Sequence, residues 1–518
     1  MSAAAQSEES SNAAAATSAV DDRTGWPRLG WSERLPIVIA VLVLAAVTVP
    51  RLPPGVCYGD SGDLQLAAAT LGIAHPPGYT GYVTLGFVLT RMPGVDPAYV
   101  VSLACLAAGL AAIVLCVLMQ VRLGLNAWAA AAIGVGLTAV PRVWQNLLVP
   151  EVYAPSLALL AGSVYLSFKY ARVGKRRDLL LAALLFGVAA ANRPPVLLAL
   201  PFFAVAWWLA QRRRELSWWR ATRSALLVVG CLVLPSLYAL VFLWLRDTST
   251  AAYNYIEQYN AEVGELPAVT DGPRARFDRI AWQATGRQYR QFVGSNWRAV
   301  QGKLRWLTDE LEPGGTVASV LALAIVLIGG VIAARRCRES VWLLGGMVVQ
   351  TVIFVCGYRI YGQAADLLPL IWAVTVAAGV ALSPLLSRET KGGRRVAAVS
   401  LLVVACVWTA VRAGDRPDEA RNADATPYLA AVDLGSFPAD AVICSSWGQS
   451  PPLWYARKVL TDRDDIRIIN AEAKNWLAMV ADVGDRPVFV TDGRVRLPEG
   501  YELTPFRKLW RLESANAD

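Results

Sequence analysis

Apolar residues in this chain fall in long runs broken by short polar connections, rather than in alternation. A membrane span takes about 20 mostly apolar residues. Eleven stretches read as spans: 35–50, 98–121, 127–148, 152–170, 179–192, 194–210, 224–245, 316–334, 340–357, 366–386 and 395–411. The pattern changes in three places. The first 25 or so residues, rich in Ala, Ser and Glu, bury too little apolar surface to fold, so 1–34 reads as a disordered tail. Residues 246–315 mix Tyr, Trp, Gln and charge (AAYNYIEQYN, WQATGRQYRQF), as amphipathic helices at a membrane surface do. Residues 412–518 turn soluble in character: AVICSS, IRIIN and PVFVTD read as short strands, with helical segments at 450–459 and 472–482 between them. The fold class is therefore an all-α polytopic membrane protein of about 11 transmembrane helices, residues 35–411, with a small C-terminal α/β domain, 412–518. No internal repeat is visible.

Charge orients this arrangement. Lys169, Arg172, Lys175, Arg176 and Arg177 fall in one set of alternate connections with Arg212, Arg213, Arg214, Arg220 and Arg223. The same set takes Arg335, Arg336 and Arg338, and then Arg388, Lys391, Arg394 and Arg395. The positive-inside rule makes these connections and the N-terminus cytoplasmic, and places the loops 51–97 and 246–315 and the C-terminal domain outside, in a bacterial plasma membrane. The 34 residues between Arg177 and Arg212 would make one helix of about 51 Å, too long for a core of about 30 Å. A hairpin turning at Asn192-Arg193-Pro194-Pro195 keeps both basic clusters on one side. Such a turn lies below the membrane surface, where an arginine needs protein or water around it.

With 55% hydrophobic and 17% charged residues, the chain is unlike a soluble protein. Its net charge of +9 sits in the orienting clusters, which argues against nucleic acid as a partner. The eight cysteines show no metal-ligand spacing, and Cys57 and Cys444 share the outer compartment without further support for a bridge. The Trp-rich segments (Trp207, Trp208, Trp218, Trp219, Trp297, Trp306) are interfacial anchors.

Candidate chemistry concentrates after the first span, at Gly59-Asp60-Ser61-Gly62-Asp63. Two carboxylates three residues apart share a helix face. They could serve as a general base toward an acceptor hydroxyl, or hold a divalent cation, Mg or Mn, beside a carrier phosphate. By spacing alone, helix capping by Asp60 or Ser61 is the commoner use of such residues. His75 is the chain's one histidine. Standing before Pro76-Pro77-Gly78-Tyr79, it could orient substrate or simply bond within a turn. Glu151, in Pro150-Glu151-Val152-Tyr153, could complete the site or stabilise a helix start. Arg142, Arg193 and Arg359 are isolated cations near outer span ends, suited to a donor phosphate or to headgroups. Asp366 opens the tenth span as a cap or a ligand.

The order GDSGDLQLAAATLGIAHPPGYTGY, from Gly59 to Tyr82, resembles the opening signature of the protein O-mannosyltransferase-like membrane family, related to the GT-C glycosyltransferases. Further matches are Pro150-Glu151-Val152-Tyr153, Ala191-Asn192-Arg193-Pro194 and parts of Trp447 to Asn470. The resemblance implies a GT-C architecture, a polyprenyl-phosphate sugar donor and inversion at the anomeric carbon. It makes Asp60 the leading base with Asp63 its partner, and Arg193 a contact to the donor phosphate. His75, Tyr79, Glu151, Asn192, Arg142, Arg359 and Asp366 stand beside them as substrate-binding candidates. This chain has Asp63 where members often have Glu, and Arg193-Pro194-Pro195 where many have Arg-His-Thr.

The expected function is a membrane glycosyltransferase moving a mannose-like hexose from a polyprenyl phosphate to an outer hydroxyl of a protein, glycan or lipid. Two readings from other classes compete with it. A secondary transporter would also bury polar turns at mid-membrane, and a noncatalytic envelope scaffold would act through the α/β domain alone.

Overall fold

The computed structural model describes residues 26–214, 218–294, 296–311, 315–359, 364–389, 391–415, 419–476, 484, 486–495, 497 and 500–514. Of the expected tail 1–34, residues 1–25 lie outside them, as does the helical segment beyond residue 476, whereas 31–34 open the first helix and are not disordered. Each of the eleven expected spans is built on helix: Trp31–Thr48, Pro97–Arg122, Ala127–Gly136 with Pro141–Leu148, Tyr153–Val173, Arg176–Asn192, Leu200–Arg212, Trp218–Arg246, Gly315–Arg336, Arg338–Gly357, Leu368–Ala381 and Gly393–Asp415. Among the described residues, six helical segments are long and apolar enough to cross a bilayer unaided. The chain is an integral membrane protein.

The stretch 127–148 is not one straight span. Its two parts meet at 84°. Pro141 forces Val140 into an extended conformation (φ −70°, ψ 120°), which ends the helix before it and starts a new one across it.

The basic connections gather at one end of the bundle. Arg172 Nη1 donates to the Arg336 carbonyl (2.9 Å), Arg213 pairs with Glu339 (3.3 Å), and Arg388 pairs with Glu33. Arg214 Nη2 donates to the Tyr170 carbonyl at 2.7 Å. That bond brings the end of the second arm back beside the start of the first, so the chain does make a hairpin, and its turn at Arg193 lies at the opposite end.

At that opposite end, the loops 51–97 and 246–315 and the C-terminal domain share a hydrophobic core. Leu64 and Leu66 of the helix Gly59–Thr70 pack in one cluster with Ile256 and Trp282 of the second loop, and with Ile443, Leu453, Trp454 and Tyr455. The second loop carries the helices Tyr255–Val263, Pro273–Thr285 and Trp297–Leu311. It is anchored by Arg279, which bonds both oxygens of Asp247 (Nε to Oδ2, 2.9 Å; Nη2 to Oδ1, 2.8 Å) and also Glu257, with the Arg279 and Asp247 side chains fully buried.

The C-terminal sheet has the strands β1 (Val442–Ser445), β2 (Arg467–Asn470), β3 (Val488–Val490), β4 (Tyr501–Phe506) and β5 (Leu509–Ser514), in the order β2-β1-β3-β5-β4. β1 runs parallel to β2 and β3, while β5 is antiparallel to β3 and β4. The first three strands are those expected; the terminal hairpin was not. The sheet docks on the first loop through a bond from Gly59 N–H to the Gly448 carbonyl (3.0 Å). Gly62 permits the contact, because a Cβ there would lie 2.2 Å from the Cys57 oxygen and 3.3 Å from Pro451. All eight cysteines are free, Cys57 and Cys444 included.

Candidate functional site

After the first span the chain turns through Gly59, whose φ of +57° favours glycine, and starts the helix Gly59–Thr70. Neither acid caps that helix: its N-cap is Tyr58, with no side-chain capping bond. Asp60 Oδ1 instead accepts the Trp447 indole N–H at 2.6 Å, and Ser61 Oγ donates to Glu151 Oε1 at 2.8 Å.

The two aspartates part company. The Asp60 side chain is 53% exposed and the Asp63 side chain is wholly buried. Asp63 Oδ1 accepts the Tyr253 hydroxyl, and Oδ2 accepts the His75 backbone N–H at 3.0 Å and lies 2.6 Å from His75 Nδ1. Both of its oxygens are therefore committed to protein partners. The expected pair is thus split in its surroundings: the helix turns Asp63 into the core and leaves Asp60 at the opening. Among the described residues, no group of three or more His, Cys, Asp or Glu side chains is placed to hold a metal ion.

His75 is oriented by Asp63 through Nδ1, so Nε2 points at Asp60, 3.8 Å from Oδ2. Burial opposes charging the ring, but Asp60 and the bonded Asp63 outweigh it and lift the pKa to about 9. The two carboxylates thus favour the protonated ring. Tyr79, in the left-handed region at φ 43°, stands edge-on to it at 5.0 Å. The Glu151 carboxyl is held above the ordinary carboxylate range by burial and then by the charge of Asp60.

The second loop is sewn to the first by paired backbone bonds. Ile73 N–H donates to the Tyr253 carbonyl (3.2 Å) and Tyr255 N–H donates to the Ile73 carbonyl (2.9 Å). This register delivers the Tyr253 hydroxyl to Asp63 and the Tyr255 ring to the opening.

From the hairpin turn comes Arg193, extended (φ −134°, ψ 93°) as a residue before proline should be. Its Nη2 pairs with Asp366, and its guanidinium lies 4.5 Å over the Tyr153 ring. Asn192, buried beside it, accepts the Tyr82 backbone N–H (3.3 Å) and donates to the Val188 carbonyl (3.0 Å).

One cavity of about 1170 Å³ joins these parts. Asp60 and His75 form part of its wall with Tyr79, Asn192 and Arg193; Tyr255, Trp282, Tyr289, Tyr358 and Trp447 add an aromatic lining. Asp366 backs Arg193, and Glu151 backs Ser61. Arg142 and Arg359 stand elsewhere: Arg142 Nη1 bonds Gln145 (3.2 Å) on its own helix, and Arg359 Nε donates to the Gly294 carbonyl (2.6 Å), bracing a loop. Sequence reasoning did not single out Tyr253 or Tyr255, and it gave Trp447 no role. Their one signal was aromatic density in AAYNYIEQYN and SSWGQS.

Residues 60–217 match the family model described as the protein O-mannosyl-transferase TMEM260 N-terminal domain. The protein O-mannosyl-transferase TMEM260 of Mus musculus is 34% identical over 120 residues, 23% of this chain and 16% of that protein. The matched stretch is thus a small part of that relative. Among solved structures, the crystal structure of ArnT from Cupriavidus metallidurans bound to undecaprenyl phosphate superposes with a TM-score of 0.52 and 14% identity, covering 93% of this chain and 98% of that one. The fold is therefore shared with that structure over nearly the whole length. The S. cerevisiae Pmt1-Pmt2 protein O-mannosyltransferase complex bound to the sugar donor gives 16% identity and a TM-score of 0.36 over 44% of this chain and 35% of that one, too slight to support an argument.

Proposed function

We propose that this chain is a membrane glycosyltransferase, a reading supported by the match of residues 60–217 to the family model described as the protein O-mannosyl-transferase TMEM260 N-terminal domain. It moves a hexose, mannose foremost, from a polyprenyl-phosphate donor to a hydroxyl on a protein, glycan or lipid acceptor. The observation that carries the reading is a single cavity walled by an exposed carboxylate, Asp60, and by a phosphate-binding type of side chain, Arg193. The reaction is one displacement. The acceptor hydroxyl gives its proton to Asp60, and its oxygen bonds to the anomeric carbon from the face opposite the phosphate. The bond from that carbon to the phosphate oxygen breaks, and polyprenyl phosphate leaves with the electron pair, inverting the centre. Arg193 supports the reading because a guanidinium has five N–H donors and Asp366 engages its Nη2, leaving others for the phosphate. The His75 ring, whose protonated form Asp60 and Asp63 favour, lies in the same wall.

A divalent cation ligated by Asp60 and Asp63 together does not fit, since the Asp63 oxygens are taken, and no step is assigned to one. The active face is the extracytoplasmic side of a bacterial plasma membrane, with the basic end of the bundle in the cytoplasm. Purified protein given a panel of polyprenyl-phosphate sugars and acceptors, with and without chelator, tests the reading. The expected result is transfer of one sugar with inverted configuration. Solute flux in proteoliposomes without transfer of any sugar would overturn it.

A further inference from the structure

The loop that carries Trp447 leaves the carboxyl end of β1, the middle of three parallel strands, which is where open parallel sheets present ligand-binding loops. Backbone bonds from Gln449 and Ser450 N–H to the Ser446 carbonyl (both 2.9 Å) close the loop into a turn. Ser450 Oγ ties it to Ser445 Oγ (2.7 Å) and to Asn470 of β2 (3.0 Å). Across the domain boundary, Gly59 N–H bonds the Gly448 carbonyl at 3.0 Å, so Trp447 and Asp60 each flank one partner of the same backbone bond. The indole N–H then reaches Asp60 Oδ1 at 2.6 Å. The ring stands edge-on to Tyr255 (5.5 Å, 90°) and to His75 (6.1 Å, 81°), so its plane is fixed from two sides.

We infer that Trp447 is a positioning residue for the Asp60 base, which makes the C-terminal domain a part of the catalytic unit rather than an appendage. This inference rests on the glycosyltransferase reading above. The second Asp60 oxygen faces the His75 ring nitrogen, 3.8 Å away, which can draw the carboxylate toward it. A neutral donor on the opposite oxygen holds the carboxylate in place without neutralising it, and keeps it turned to the acceptor. Without that N–H the carboxylate is free to turn toward His75 and away from the acceptor.

The experiment compares the full-length wild type with Trp447→Phe in a transfer assay, using whichever polyprenyl-phosphate sugar the wild type accepts. The expected result is a kcat lowered about tenfold or more, with donor and acceptor KM within twofold and an unchanged melting temperature. A kcat within twofold of wild type, or a loss confined to KM, overturns the inference. If Trp447→Phe melts lower, incorporation of 3-benzothienylalanine at 447 removes the N–H at constant shape, and the same two outcomes decide. Absence of transfer by the wild type itself would refute the glycosyltransferase reading, which is a separate failure from a Trp447→Phe variant that transfers normally.

Discussion

Asp63 Oδ2 receives two bonds from one residue, His75, through its backbone N–H at 3.0 Å and its ring Nδ1 at 2.6 Å. A buried carboxylate held this way fixes both the position of the loop after the helix Gly59–Thr70 and the direction of the ring, so that Nε2 faces Asp60. Asp63→Ala would leave the Tyr253 hydroxyl and the His75 ring without their shared acceptor in a buried place. Losing one member of such a buried charged network costs about 3–5 kcal/mol. Asp63→Asn keeps the volume and should cost less. Thermal melts of both variants in detergent check the order: Ala below Asn below wild type.

The chain has one histidine, so a single imidazole signal reports on the site. Its folded pKa of about 9 stands above the ordinary 6.5. The sign follows: proton binding favours the folded state, the stabilisation is fully present below about pH 6.5, and it fades as pH rises toward 9. NMR of ring-labelled protein should show a titration near 9 that moves down in Asp60→Asn. Melting temperature should fall between pH 6.5 and 9 in the wild type by more than in His75→Gln.

Arg279 and Asp247 form a bidentate pair with no side-chain exposure. Arg279→Ala strands Asp247 in the core and should destabilise the second outer loop by about 3–5 kcal/mol. Because that loop sets the Tyr253 and Tyr255 register, hydrogen exchange should accelerate in 253–285 while the spans keep their protection. Replacing Asp247 by Leu as well should restore part of the loss, since the fully buried charge is then gone and Glu257, whose side chain is 36% exposed, can turn to solvent.

Arg193→Lys keeps a positive charge but loses the planar fork that grips phosphate. The expected effect is a donor KM raised about tenfold with the acceptor KM little changed, measured by initial rates at varied donor. Equal effects on both substrates would contradict a donor-phosphate contact.

The signals that were local in the chain read correctly. The hydrophobic runs became helices, and the two basic clusters 34 residues apart required the hairpin that Arg214 and Tyr170 now join. Asp60, His75 and Arg193 stood out because loop prolines, acids and a misplaced cation are visible without knowing what packs on them. The errors are of two kinds. Asp63 was paired with Asp60 because three-residue spacing places both on one helix side; which part of that side meets the second loop depends on Tyr253, 190 residues away. Trp447 reaches Asp60 from 387 residues away, and nothing near either residue announces it. Pro141 did announce the break in 127–148, but the apolar run around it dominated the reading. The hairpin 501–514 turns at Arg507, left-handed at φ 54°, without the Gly or Asn that marks such turns.

The central claim is that Asp60 takes the acceptor's proton, and Asp60→Asn tests it most directly because the substitution keeps the shape and the Oδ1 acceptor for Trp447. With membrane insertion and melting temperature matched to wild type, sugar transfer from the polyprenyl-phosphate donor should fall roughly a hundredfold or more. Transfer within a few-fold of wild type would contradict the account.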